Sequence, residues 1–398
     1  MNFTKIKGDI TSAEGFKAGA VKTGIKNNSL DLAIIYCENL AETAAVYTTN
    51  QVQAAPIKIC REHLADGSAR AIVINSGIAN ACTGEEGLQN ALQMTETAAG
   101  SLHLKKEDVL VASTGIIGKQ LPMSKIKAGI EEASENLAKD SGKDAAKAIQ
   151  TTDTTVKRAA AAIELDGHEV KIGGMAKGSG MIEPNMATML SFITTDASIK
   201  SGLLQEVLKE CVDVSFNKIT VDGDQSTNDM IAVMASGKSG APEITAGSAA
   251  LEKFKSALKY VTEELAKMIV KDGEGATKFI EINVSGASDS EQAQKIARQI
   301  AGSPLVKTAV YGESPSWGRI AAAAGSAVDD FDSQDLEIEL NGKKVFGPEH
   351  EVHEFPGDIL SSSTIRIDVD PGCGEASDTV WTCDFSDEYV EINAKYYS

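Results

Sequence analysis

Short apolar runs recur through the first half of this chain, and they end in small polar residues or glycine. Asp31–Tyr36, Ala71–Ile74 and Asp108–Ser113 are rich in Val, Ile, Leu and Ala, which is typical of buried strands. The second run ends at Asn75–Gly77 and the third at Thr114–Gly115. The chain must therefore build a sheet whose strand ends carry polar groups and tight turns.

Segments with a helical period separate and follow these strands. Helices are predicted over Leu88–Leu102, Ser124–Leu137, Leu251–Val270 and Ala293–Ile300. The third is the clearest, because its apolar residues fall on one helical face. Strands are predicted from alternating patterns at Leu336–Leu340, Ser363–Val369 and Tyr389–Ile392, and a strand, tight loop and strand within Val170–Thr195. We expect an α+β fold: a layered, mixed α/β enzyme with two interlocked domains.

Charge and composition argue against several classes of partner. The chain has 38 Lys or Arg against 57 Asp or Glu, a net charge of −19. Nucleic acids and anionic membrane surfaces call for a basic face, so neither is expected as a partner. The polar segment Met1–Ile10 lacks the apolar stretch of a signal peptide, and six scattered cysteines form no C-x-x-C pair. We expect a cytoplasmic protein with reduced, mostly buried thiols.

Two further motifs have structural explanations that are favoured over functional ones. His350–Glu354 has histidines three residues apart, whereas the zinc protease motif has them four apart on one helical face. A solvated loop without metal is favoured there. The run Gly173–Gly180 has neither the phosphate-loop nor the dinucleotide spacing. A structural turn is favoured over a loop that brings Lys177 to a small anion.

The bond between Ala187 and Thr188 lies between a loop containing Gly and Pro and an apolar run, which suits self-cleavage. The threonine hydroxyl can attack the preceding carbonyl and shift the acyl group from nitrogen to oxygen, after which water releases it. The product begins with a threonine whose α-amine has an ordinary pKa of about 7.7–8.0. That amine can take the hydroxyl proton, so one residue supplies nucleophile and base. Taken alone, an Ala-Thr pair is common.

Residues 177–190 resemble the self-cleavage segment of the bifunctional ornithine acetyltransferase family, also called glutamate N-acetyltransferases, of cyclic arginine biosynthesis. Further segments that resemble the family are Thr48–Asn50, Asn75–Gly77, Ala112–Gly118, Phe216–Asp229, Ser316–Arg319 and Ile392–Ala394. The resemblance covers nearly all 398 residues. The chain departs from the usual family pattern at Ile78, Ser314–Ser316 and Ser398, and none of these positions carries the nucleophile or the oxyanion hole.

The resemblance implies a role for each matching residue. Thr188 would be the nucleophile and, after cleavage at Ala187–Thr188, a new N-terminus. Thr114 and Gly115 would form the oxyanion hole through a hydroxyl and a backbone N–H. Substrate would be bound by Thr188 and by Thr151, Lys177, Glu274, Asn393 and Ser398. These residue types suit the substrates, because an α-carboxylate favours a cation and hydroxyl donors, and an amine favours a carboxylate.

The resemblance also implies the fold of self-cleaving ornithine acetyltransferases and L-aminopeptidase/D-esterases. Cleavage would give an α chain of residues 1–187 and a β chain of residues 188–398, assembled as two of each. Acetyl would pass from N2-acetyl-L-ornithine to L-glutamate through acetyl-Thr188, with ping-pong kinetics and neither metal nor bound cofactor. Use of acetyl-CoA as a co-substrate stays open. Two alternatives also stay open: a related self-cleaving aminopeptidase or amidohydrolase, and a non-catalytic amino-acid-binding module.

Overall fold

The structure, a computed structural model, describes residues 2–183, 189–328, 332–348 and 357–395. The chain divides into two compact units that alternate along the sequence. Unit 1 takes Met1–Gly178, Pro184–Asn217 and Gln225–Ile269, and unit 2 takes Ser179–Glu183, Lys218–Asp224 and Val270–Ser398. Both units therefore contain residues from before and after the predicted cleavage bond. The units do not coincide with the predicted α and β chains, whose existence stays a prediction.

Unit 1 holds a large sheet with helices packed on it. Its described strands are β1 (Thr4–Ile6), β2 (Phe16–Val21), β3 (Leu32–Tyr47), β4 (Ser68–Ile78), β5 (Val109–Ile116), β6 (Lys157–Leu165), β7 (His168–Lys177), β8 (Leu190–Thr195) and β9 (Met230–Ala235). They follow the order β1, β6, β7, β8, β9, β3, β4, β5, with β2 also paired to β3. The helices are α1 (Ala55–His63), α2 (Gly84–Leu102), α3 (Met123–Glu135), α4 (Gly142–Ala148), α5 (Ser201–Asp213) and α6 (Ala249–Lys271).

Strand β3 is the central strand of this sheet, because it pairs with three other strands. It is 16 residues long and pairs with β2 over residues 32–37, with β4 between residues 32 and 42, and with β9 over residues 42–47. The register with β4 shifts between Tyr36 and Ala41, so β3 has an irregularity before the part that pairs with β9. Helices α1 and α2 pack on β5, and α3 and α5 pack on β3. The apolar strands predicted from the sequence thus form one buried core.

Strands β7 and β8 lie on either side of the predicted cleavage bond and are antiparallel neighbours. Their register runs from Ile172 opposite Thr195 to Lys177 opposite Leu190. The two predicted strands of this region are confirmed. The prediction that Gly173–Gly180 is a turn is wrong for its first half, because residues 173–177 belong to β7. A Cβ at Gly173 would lie 2.0 Å from the carbonyl oxygen of Asp9, so this glycine permits the segment after β1 to approach the backbone of β7 closely.

Helix α6 matches the sequence prediction closely. On the predicted apolar face, Phe254, Leu258, Val261, Leu265 and Ile269 are buried. Leu251 and Met268 are half-buried. Beside this face the sheet presents Gly174, whose missing side chain leaves room for Val261 and Leu265. A 23-residue helix with one apolar stripe is stable only when that stripe is covered, as it is here.

Unit 2 holds a smaller mixed sheet. Its strands are β10 (Phe279–Ala287), β11 (Glu337–Leu340), β12 (Lys343–Phe346), β13 (Thr364–Asp370) and β14 (Ala376–Cys383), in the order β12, β11, β13, β10, β14. Its helices are α7 (Ser290–Ala301), α8 (Pro304–Tyr311), α9 (Trp317–Gly325) and α10 (Asp387–Ala394). Helix α7 packs on β10 and β14 over a separate apolar core. The α+β prediction is confirmed, and no helix in the described ranges is long and apolar enough to cross a membrane.

The predicted strand at Tyr389–Ile392 is wrong, because these residues form the middle of helix α10. Ser386 caps this helix by accepting a hydrogen bond from the Tyr389 N–H at 3.3 Å, and two acidic residues occupy its first turn. Val390 is 65% exposed, so the apolar alternation does not face a core. The helix cap at Ser386 and the acidic first turn therefore favour a helix more strongly than a four-residue apolar alternation favours a strand.

Candidate active site

The predicted oxyanion donors lie at the end of β5, as the sequence analysis expected. Strand β5 is parallel to β4, with Ser76 opposite Thr114 and Gly77 opposite Gly115. Gly115 has φ +129°, and a Cβ there would lie 2.3 Å from the carbonyl carbon of Gly77. Only glycine fits this close approach and this backbone conformation. Residue 115 therefore presents a bare backbone at the strand end, beside a threonine that is only 8% exposed.

Lys177, the last residue of β7, reaches the same strand end. Its Nζ donates a hydrogen bond to Thr114 Oγ1 at 3.2 Å, although the two residues are 63 apart in sequence. Both side chains are buried. Two residues that the resemblance assigns to oxyanion stabilisation and to substrate binding are thus in direct contact, in a place where a cation is poorly screened by water.

Asp153 organises the chain around Lys177. Its carboxylate accepts from Lys157 Nζ at 2.6 Å, from the Gly178 N–H at 2.8 Å and from the Thr151 N–H at 3.0 Å. Burial by itself would raise the pKa of Asp153, but the ammonium groups of Lys157 and Lys177 outweigh it and lower the pKa to about 2. This buried carboxylate therefore brings the backbone of Thr151 and the backbone of Gly178, which follows Lys177, close to each other.

Lys26 is a further cation in this region, after Lys177 and Lys157, and it is not among the site residues predicted from the sequence. Its Nζ donates to the carbonyl of Gln150 at 2.7 Å, one residue before Thr151. Burial lowers the pKa of Lys26 to about 8, although the negative charges of Asp31 and Asp153 act to raise the pKa. Lys26 stands in a turn rich in Gly, Asn and Ser, and no motif distinguishes it from a surface lysine.

Unit 2 carries two of the predicted substrate-binding residues, and they are hydrogen-bonded to each other. Glu274 is buried, and Asn393 Nδ2 on α10 donates to its Oε2 at 2.8 Å. The Glu274 N–H donates to the Ser179 carbonyl at 2.9 Å. A Cβ at Gly180 would lie 2.3 Å from Glu274 Oε2, so this glycine allows the carboxylate to lie against the backbone.

The loop that carries Glu274 is built by its neighbours in unit 2. Gly275 has φ +67°, and a Cβ there would lie 2.5 Å from the Tyr389 nitrogen. Ser386 Oγ donates to the Gly275 carbonyl at 2.6 Å, so one serine caps α10 and secures the loop. Buried Asp384 accepts from the backbone and hydroxyl of Thr277 at 2.8 and 2.5 Å. The glycines on either side of Glu274 predict a tight loop, and the contacts of Ser386 and Asp384 are what support it.

The remaining predicted positions lie outside the residues that the structure describes. They are Ala187, Thr188 and Ser398, and the histidine segment His350–Glu354. Within the described ranges, no group of three or more His, Cys, Asp or Glu is placed to hold a metal ion. Four of the six cysteines are buried and Cys82 and Cys373 are exposed.

The sequence matches the family model described as the ArgJ family over residues 17–398. This chain belongs to the ArgJ family. The family resemblance predicted from the motifs is thereby confirmed. The match includes both predicted oxyanion residues and the whole predicted cleavage segment.

Curated ArgJ relatives align over nearly the whole chain. The "Arginine biosynthesis bifunctional protein ArgJ" of Geobacillus kaustophilus is 46% identical over 393 residues, covering 98% of this chain and 96% of that protein. The protein of the same name from Dehalococcoides mccartyi is 47% identical over 395 residues, covering 98% and 97%.

Two solved structures are also similar to parts of the chain. ArgJ from Bacillus halodurans is 44% identical and covers 47% of this chain and 98% of its own, with a TM-score of 0.45. Ornithine acetyltransferase from Mycobacterium tuberculosis, solved with ornithine, is 37% identical and covers 46% and 100%, with a TM-score of 0.44.

Proposed function

We propose that this chain is a glutamate N-acetyltransferase of arginine biosynthesis, which moves acetyl from N2-acetyl-L-ornithine to L-glutamate. Membership of the ArgJ family and the curated relatives named as arginine biosynthesis proteins support this function. The observation that carries the chemistry is the contact of Lys177 with Thr114 beside the bare backbone of Gly115. A cation and two hydrogen-bond donors at one strand end suit a carboxylate and a developing oxyanion.

The first half-reaction forms an acetyl-enzyme on Thr188. Its α-amine takes the hydroxyl proton, and Oγ attacks the acetyl carbon of acetylornithine. The negative charge that develops on the carbonyl oxygen is stabilised by the Thr114 hydroxyl and the Gly115 N–H. The bond from acetyl carbon to nitrogen then breaks, the α-amine returns the proton to that nitrogen, and ornithine leaves.

The second half-reaction returns the acetyl group to an amino acid. The amine of glutamate attacks the acetyl ester, the same two donors stabilise the intermediate, and Thr188 Oγ leaves with a proton. The product is N-acetylglutamate. Both half-reactions use one set of residues, because ornithine and glutamate share an amino-acid head group. The kinetics are ping-pong, because the acetyl group passes through a covalent enzyme intermediate.

The substrate-binding roles follow the charge of each group. Lys177 pairs with the α-carboxylate, and Thr151 contributes hydrogen bonds. Glu274, steadied by Asn393, binds the substrate amine, and Ser398 completes the set. The carboxylate of Glu274 suits this role, because it is buried and an ammonium ion would pair with it with little competition from water.

The enzyme matures by cutting itself between Ala187 and Thr188, which releases the amine that serves as base. Strands β7 and β8 support this step, because their pairing holds the two products together in one sheet after the cut. We further propose that α and β chains assemble two by two in the cytoplasm, and that no cofactor stays bound. We also propose acetyl-CoA as a second acetyl donor.

The experiment is to follow acetylornithine consumption with and without glutamate. A transferase consumes acetylornithine rapidly only when glutamate is present, and forms an equal amount of N-acetylglutamate. An aminopeptidase consumes it equally fast without glutamate, which would refute acetyl transfer. Thr188→Ala is the matched variant: we expect one uncut chain on a denaturing gel and no transfer. Acetyl-CoA with glutamate alone tests the second donor.

A further inference from the structure

Asn228 clamps the strand end that carries Thr114. Its side-chain Nδ2 donates to the carbonyl of Ser113 at 2.8 Å and to the carbonyl of Ala79 at 2.6 Å. Ser113 lies in β5, and Ala79 follows the last residue of β4. The side chain is buried, and both amide hydrogens are used on the backbone of two neighbouring parallel strands.

The orientation of this amide is itself fixed. Thr227 Oγ1 donates to Asn228 Oδ1 at 2.5 Å, so the nitrogen must face the two carbonyls. The segment is anchored on both sides, since the Ala54 N–H donates to the Thr227 carbonyl at 2.9 Å and the Thr48 N–H donates to the Asp229 carbonyl at 3.0 Å. Asn228 is therefore a rigid donor.

The clamp acts on Thr114 through one peptide plane. The Ser113 carbonyl and the Thr114 N–H belong to the same planar unit, so a donor that fixes the carbonyl also fixes the direction in which residue 114 leaves the strand. A second hydrogen bond holds Ser113 by its side chain, whose Oγ donates to Asn75 Oδ1 at 2.6 Å. The next residue but one, Gly115, lies opposite Gly77 and close to its backbone.

We propose that Asn228 is a positioning residue for acetyl transfer, which holds the Thr114 hydroxyl and the Gly115 N–H at the place where the oxyanion develops. The inference rests on the proposed function in assigning those two donors to the oxyanion. Donors of this kind accelerate a reaction only when they are aligned before charge develops. Asn228 touches no substrate and acts through the Ser113 carbonyl.

The test compares Asn228→Ala with Asn217→Ala. Asn217 is buried to the same degree, lies in the same sequence segment and donates from Nδ2 to Asp213 at 2.8 Å, away from β5. Transfer rates are expressed per cleaved chain, so slow maturation does not count as slow transfer. We expect Asn228→Ala to lower kcat about 10- to 100-fold, because misplacing a catalytic group by about 1 Å can cost about 10²-fold in rate. KM for acetylornithine and glutamate should change little, and Asn217→Ala should keep the wild-type kcat.

A double-mutant cycle covers the case in which Asn228→Ala does not fold. Thr227→Val keeps shape and volume but removes the hydroxyl that orients the amide. We expect it to lower kcat several-fold with KM unchanged, and to have no further effect in any folded Asn228 variant, such as Asn228→Ser. A folded Asn228→Ala with wild-type kcat, or a Thr227→Val that keeps the wild-type kcat, overturns the proposal. Absence of transfer in the wild-type enzyme would instead refute the proposed function.

Discussion

Lys177 donates a hydrogen bond to the Thr114 hydroxyl across 3.2 Å. An ammonium group can only donate, so the threonine oxygen accepts and keeps its own proton for another partner. The contact therefore sets the hydroxyl up as a donor, which is the role that an oxyanion requires. It also places a positive charge next to the position where negative charge is proposed to develop.

Loss of the Lys177 charge should weaken catalysis strongly. Lys177→Met keeps the length of the side chain and removes the ammonium, and a hydrogen bond to a charged group contributes about 1.5–3 kcal/mol. We expect kcat/KM to fall about 10- to 100-fold in the glutamate-dependent assay. Lys177→Arg, which keeps the charge with a different shape, should lose less. Equal losses in the two variants would show that the charge is not what matters.

A side chain at residue 115 should disrupt the strand end. Gly115→Ala would place a Cβ 2.3 Å from the Gly77 backbone at φ +129°. We expect transfer to drop about 10²- to 10³-fold, the usual effect of removing one oxyanion donor. The control is Gly167→Ala, which also has positive φ, at +82°, but meets open space. It should cost some thermal stability and leave transfer intact, and a similar loss of transfer in both would contradict the account.

Asp153→Asn should destabilise the fold and change its response to acid. Breaking a buried ion pair by removing one partner costs about 3–5 kcal/mol. The pKa of Asp153 is lowered to about 2 in the folded chain. Its stabilising contribution is therefore present above its ordinary pKa near 3.9, and is lost as the pH falls from about 4 to about 2.

Thermal melting at several pH values measures this contribution. The deficit of Asp153→Asn should be large at pH 7 and smaller near pH 3. Asp144→Asn is the control, because its ion pair with Lys147 is 3.7 Å long and largely exposed, so it should cost less than about 1 kcal/mol. A deficit for Asp153→Asn that is the same at both pH values would contradict the assigned charge.

Asp229→Asn should have the opposite pH signature. Asp229 is buried, and its Oδ2 has no hydrogen-bond partner among the residues that the structure describes. Burial raises the pKa of this carboxyl well above its usual range, although a hydrogen bond from Ser226 and the charge of Lys177 both act to lower the pKa. The folded chain thus binds a proton that the unfolded chain releases, so stability falls as the pH rises above about 4. The melting temperature should drop less from pH 5 to pH 8 in Asp229→Asn than in wild type, and an equal drop would contradict the raised pKa.

The elements that could be predicted correctly from sequence are those determined by a local pattern of apolar and polar residues. The stripe from Leu251 to Ile269 formed a helix because a long apolar face has only one way to be buried. The donors at the end of β5 could be located on a strand end from sequence, because a strand followed by Thr114 and Gly115 leaves little choice. The four-residue alternation at Tyr389–Ile392 failed, because a cap at Ser386 decides that segment.

Contacts between distant segments could not be predicted without the fold. Nothing in the sequence relates Lys177 to Thr114, or Asn393 to Glu274, except family resemblance. The strand order that puts β7 beside β8, and β3 between β4 and β9, is a tertiary property. Lys26 and the orienting amide of Asn228 carry no local signal, so only the fold reveals what they hold.

The covalent intermediate on Thr188 is the central claim, and the mass of the fragment that begins at Thr188 tests it directly. The enzyme is mixed with N-acetylornithine without glutamate and quenched rapidly. We expect the fragment of residues 188–398 to gain the mass of one acetyl group, and to lose it when glutamate is added, as N-acetylglutamate appears. Rapid glutamate-dependent transfer with no acetylated fragment at any time would contradict the account.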